Sequence, residues 1–79
     1  MNLSAVEELV RQLKSDYENA PPNRKVASIH LFGIANASAL QGVSKHDVAE
    51  RAGIGRSYGV ELNKAVVLAE YVKIVKPLV

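Results

Sequence analysis

Apolar and polar positions alternate along the chain with a helical period in three places and lose it in short polar breaks between them. Val6, Leu9, Val10, Leu13 and Tyr17 recur at steps of three and four, which leaves Glu8, Arg11, Lys14, Ser15 and Glu18 for water. An amphipathic helix is predicted over 4–19, opened by a capping box in which Ser4 and Glu7 satisfy each other's backbone N–H groups. Ala20-Pro21-Pro22-Asn23 breaks it, because proline lacks a backbone donor and disfavours helical angles in the residue before it.

Asn23 is a candidate cap for a second helix over 23–39. Its residues Val26, Ala27, Ile29, Leu31, Phe32, Ile34, Ala35 and Ala37 are apolar nearly all round, the mark of a central helix packed from several sides. Gly33 disfavours a helix interior by roughly 1 kcal/mol relative to alanine, so either another helix comes close there or the helix bends. His30 has no histidine or carboxylate at i+3 or i+4 and reads as a core or boundary side chain with one hydrogen-bonded nitrogen, not as a ligand or catalyst. Residues 36–43 read as this helix fraying into a loop.

A third helix is predicted over 44–53. Ser44 caps it and Asp47 lies in its first turn, where the helix dipole favours negative charge. Val48, Ala49 and Ala52 face inward, and Gly53 allows the left-handed backbone of a sharp turn. A fourth helix follows over 56–75, and its pattern need not stop before Pro77, a run of about twenty residues or roughly 30 Å. Tyr58, Leu62, Ala65, Ala69 and Val72 form one apolar seam, and Val67, Tyr71, Ile74 and Leu78 a second.

One seam closes the core. The other either serves homodimerisation through the C-terminal helix or is covered by the first helix. A third reading takes Tyr71 to Val75, rich in β-branched residues, out of the helix as a short strand. The fold class expected is all-α, a single four-helix domain over 1–79 with a helix-turn-helix core.

Asp47-Val48-Ala49-Glu50-Arg51-Ala52-Gly53-Ile54 resembles the helix-turn-helix of bacterial repressors, particularly the lac repressor family. The chain is also similar to small uncharacterised bacterial helix-turn-helix-like proteins, through Ile29 to Ile34 and through Ser57-Tyr58 with Glu61-Leu62. The first resemblance implies a transcriptional regulator that binds double-stranded DNA with the helix after Gly53; the second brings no assigned activity. Gly55, Arg56 and Ser57 would then meet base edges, with Arg56 suited to guanine, while Lys45, His46, Arg51 and Lys64 would lie nearer phosphates. The chain departs from the repressor pattern at Gly59, where an apolar anchor is usual, and at Gly55, where a serine or threonine cap is usual. Ser57 is a competing cap.

Charge refines this expectation. The net charge is +2, with two basic and four acidic side chains in residues 1–20 and eight basic and four acidic in 21–79, so the later part is the one suited to phosphates. There is no cysteine, and the two histidines lie far apart in sequence, so neither a metal site nor a cofactor is expected. Paired carboxylates and glycine-rich phosphate loops are missing too, which argues against an enzyme. No secretory pattern opens the chain and no apolar run approaches the roughly 20 residues of a membrane span, so a cytoplasmic protein is expected. The alternative to a DNA reader is a protein-interaction or dimerisation module on the same scaffold.

Overall fold

The computed structural model describes residues 3–78, which form four α-helices and two single 3-10 turns, with no strand among the described residues. Helix α1 spans Leu3–Asn19. Leu3 is already helical, so α1 begins ahead of the expected Ser4 cap, and the Ser4 side chain lies outside the described residues. Val6, Leu9 and Leu13 are buried and Val10 and Tyr17 lie against the core, as the period demands.

Lys25 closes the far end of α1. Its ammonium donates to the carbonyls of Tyr17 (2.8 Å) and Glu18 (3.1 Å) and lies 5.3 Å from the Tyr17 ring centroid. Those carbonyls are unpaired within the helix, and a cation there also meets the negative end of the dipole.

Helix α2 is shorter than its apolar run. Pro22–Arg24 forms a 3-10 turn and α2 spans Lys25–Ala35, so Asn23 is not its cap. Arg24 holds that position without a side-chain bond. The helix stops where the Asn36 backbone N–H and side-chain amide both donate to the Phe32 carbonyl, at 3.0 and 2.9 Å. Asparagine competes with the backbone in this way, which favours termini over interiors. Turns fill 36–42, pinned by Leu40, which is fully buried.

Gly33 marks a close crossing of α2 and α4, not a bend. A Cβ there would stand 2.5 Å from the Ala65 Cβ. Helices α1, α2 and α4 thus sandwich the core of Leu9, Leu13, Ile29, Phe32, Leu40 and Leu62, and α3 (Lys45–Arg51) adds Val48, Ala49 and Ala52.

The last helix differs most from expectation. A 3-10 turn at Arg56–Tyr58 leads into α4, which spans only Gly59–Leu68. Tightened bonds from Glu70 N–H to the Val67 carbonyl (3.1 Å) and from Tyr71 N–H to the Leu68 carbonyl (2.9 Å) end it, and Val72 to Val75 run without regular structure. Three of those four residues are β-branched, which weakens helix propensity. The expected second seam is therefore split. Val67 and Tyr71 are exposed beside Leu68, and Ile74, itself still 40% exposed, joins the half-buried Leu78 in lining a cleft of about 290 Å³ with Ala20, Leu31, Phe32 and Ala35.

Candidate nucleic-acid interface

The motif is set by local chemistry. Ser44 Oγ accepts from the Asp47 N–H at 3.2 Å and so fixes the start of α3. At its end the chain turns through Gly53 at φ 79°, with the Ile54 N–H donating to the Ala49 carbonyl (3.3 Å). Ala49 is fully buried where the two helices meet, and only a small side chain fits such a junction. Gly55 also has a left-handed backbone, at φ 111°, and its carbonyl accepts from the Tyr58 N–H (3.1 Å). A second left-handed glycine makes the turn longer than a single C-cap, and neither Gly55 nor Ser57 caps α4 with a side chain.

Gly59 explains the missing anchor. It is buried, and a Cβ on it would lie 2.6 Å from His46 Cα. Backbone of α3 occupies the space a larger residue would need. His46 then ties the contact from the other side, its Nδ1–H donating to the Arg56 carbonyl at 2.9 Å. That ring is committed to holding the turn.

Arg56 is exposed, but its guanidinium is engaged by α3, donating to Asp47 (2.5 Å) and Glu50 (3.1 Å). The bond from Arg56 holds the Asp47 carboxyl below the usual carboxylate range, and Arg56 is in turn held more firmly protonated. Gly55 and Ser57 flank Arg56 at the surface. Lys45 is half-buried at the start of α3 and Arg51 is exposed at its end. Lys64 is exposed on α4, 3.5 Å from Glu61.

With Gly59, Leu62 and Ala65 buried, the helical period turns Val60, Asn63, Lys64 and Val67 outward. Val60 and Asn63 were not singled out from sequence; the signal was present in the spacing once Gly59 is taken as an inward position. Glu61 turns away from this face and accepts from His30 Nε2–H at 2.7 Å, joining α4 to α2.

Glu61 is held below the ordinary carboxylate range, chiefly by the His30 hydrogen bond and further by Lys64, with desolvation opposing. A depressed folded-state pKa contributes stability that is present above the unfolded-state value and is lost as pH falls through the folded-state value. Glu61→Gln is therefore expected to flatten the acid limb of the stability curve, as read by urea unfolding from about pH 6 to about pH 3. An unchanged acid slope in the variant would contradict it.

Among the described residues no group of histidines and carboxylates could hold a metal ion, and no helix is long and apolar enough to cross a membrane. No curated protein and no solved structure matches the chain. A family model described as an HTH-like domain matches residues 5–75, which takes in all four helices apart from the start of α1. The chain belongs to this family of HTH-like domains.

Proposed function

We propose that this domain is a DNA-binding regulator of the bacterial cytoplasm that acts by binding rather than catalysis, presenting the start of α4 to the major groove as lac repressor-like motifs do. The observation that carries the reading is the close-packed, hydrogen-bonded junction between α3 and α4. Ser44, Gly53, the Gly59 contact with His46 and the His46 hydrogen bond fix the second helix before any ligand arrives, so little ordering is needed on binding. Ser57 and Asn63 are free to hydrogen-bond base edges, and Val60 suits a thymine methyl. Arg56 reaches a guanine by exchanging the carboxylates of Asp47 and Glu50 for the base. Lys45, Arg51 and Lys64 supply phosphate contacts, and His46 and Gly55 shape the turn beside them. A homodimer formed through residues near Val67, Tyr71, Ile74 and Leu78 matches a two-fold DNA site.

Fluorescence anisotropy with a mixed-sequence duplex tests this. Saturable binding is expected, with Lys64→Ala weakening all sequences alike and lowering the salt slope by about one, and Arg56→Ala costing about 1–3 kcal/mol at one base position. Absence of saturable binding at low salt would sink the reading. A second reading, an interaction module, is favoured by the exposed Val60, Val67, Leu68 and Tyr71 along α4 and its end.

A further inference from the structure

The cleft between α1, α2 and the segment after α4 is lined by no residue of α3 or of α4 itself. Its volume is about 290 Å³. An apolar cavity of about 150 Å³ is enough for benzene, so this one has room for a single ring and a short chain. Leu31 and Ala35 of α2 form one apolar wall, and Ile74 and Leu78 of the last segment form a second.

The polar groups on its α1 and α2 sides are mostly acceptors. Asp16 is half-buried, and one of its carboxylate oxygens takes the Gln12 amide N–H at 2.7 Å; no donor among the described residues reaches the other. Ser28 also lines the cleft, is only 2% exposed, and gives its one hydroxyl proton to the Lys25 carbonyl at 2.5 Å. Its oxygen therefore has only lone pairs left to offer. Asn19 gives an amide N–H to Ser15 at 3.2 Å and keeps its carbonyl oxygen and second N–H. Asp16 and Asn19 also stand in the last turn of α1, where the negative end of the helix dipole favours a cation. The one cationic side chain lining the cleft is Lys76, which is exposed and makes no ion pair among the described residues.

We propose that this cleft binds a small organic cation, a primary amine carried on one apolar ring. The ammonium has three N–H groups, which suit the open Asp16 oxygen and the Ser28 lone pairs, while the ring lies against Leu31, Ala35, Ile74 and Leu78. Charge selects the class. A carboxylate in the same place would face Asp16 and a hydroxyl with no proton to give. A neutral apolar molecule would displace water from both acceptors and replace none of its hydrogen bonds. Lys76 opposes the ammonium, but its long stem lets its charge turn into solvent, whereas the short Asp16 side chain is held on α1 by Gln12. The site is independent of the DNA contact proposed above, and it uses the cleft side of Ile74 and Leu78, leaving their solvent side to the second copy.

Heteronuclear NMR titration of the full chain, without DNA, with phenethylamine, phenethyl alcohol and phenylacetate tests the proposal. The amine is expected to bind with a Kd of about 1 mM, in the range open to so few atoms, and to shift Ser28, Leu31, Ala35 and Ile74. The alcohol and the acid should each bind at least about fivefold more weakly. Asp16→Asn keeps the shape of the side chain and should weaken the amine at least about fivefold, erasing its lead over the alcohol, with circular dichroism unchanged. Lys76→Gln removes the opposing charge and should tighten the amine about twofold. Phenylacetate binding as tightly as the amine overturns the proposal, as does an amine affinity that Asp16→Asn leaves unchanged. So does the absence of a saturable shift at these residues up to about 20 mM amine. Each of these outcomes leaves DNA binding to be judged by its own titration.

Discussion

Phe32→Ala should remove most of the stability of the domain. Phe32 is the largest of the fully buried side chains and stands on the central helix, in one core with residues of α1, α3 and α4. Truncating a buried phenylalanine costs about 3–5 kcal/mol, through lost transfer energy and the cavity left behind. A chain of this length holds on the order of 4–12 kcal/mol in total. The expected result in calorimetry is a midpoint lowered by more than about 12 °C, or no cooperative transition at all. Phe32→Leu keeps most of the volume and should cost far less; equal losses in the two variants would mean that packing at this site is not what holds the helices together.

The second large effect is expected at Gly59. An added Cβ would lie 2.5 Å from His46 Nδ1 and 2.6 Å from both His46 Cα and Cγ. The ring can turn aside, but Cα moves only if the first turns of α3 and α4 separate. Overpacking of this kind costs about 1–3 kcal/mol, and Gly59→Ala belongs at the upper end because the obstacle is backbone. The urea midpoint should fall with little change in slope, and the His46 to Arg56 hydrogen bond should open, visible as a shift of the His46 ring resonances. A variant as stable as the parent would show that the junction has slack.

Much of the fold was legible because it is written locally. The α1 stripe, the Ser44 cap and the left-handed Gly53 each depend on residues within a turn or two of one another. The end of α4 was not legible for the opposite reason. The helical period runs on through Val72 and Ile74, yet a helix persists only while its apolar face has a partner, and beyond Leu68 the chain finds the α1–α2 cleft instead. The same holds for His30 and Glu61, which are 31 residues apart and meet only because Gly33 lets α2 and α4 approach.

At the candidate interface the sequence identified the basic side chains but not their neighbours. Arg56 stands free in the sequence and ion-paired in the fold, because the turn doubles it back over Asp47 and Glu50. Gly59 looked like a defect in the repressor pattern and is instead the position that lets two helices touch.

Leu40 gives the segment between α2 and α3 a mechanical meaning. Although that stretch has no regular helix, one fully buried side chain fixes it in the core like a peg, dividing it into two short arms that end at Ala35 and at Ser44. The arms are four residues, 36–39, and three, 41–43, so the motif is held to α2 by a short tether. The segment is a tether, and with the crossing at Gly33 and the contact at Gly59 it holds the start of α4 in place.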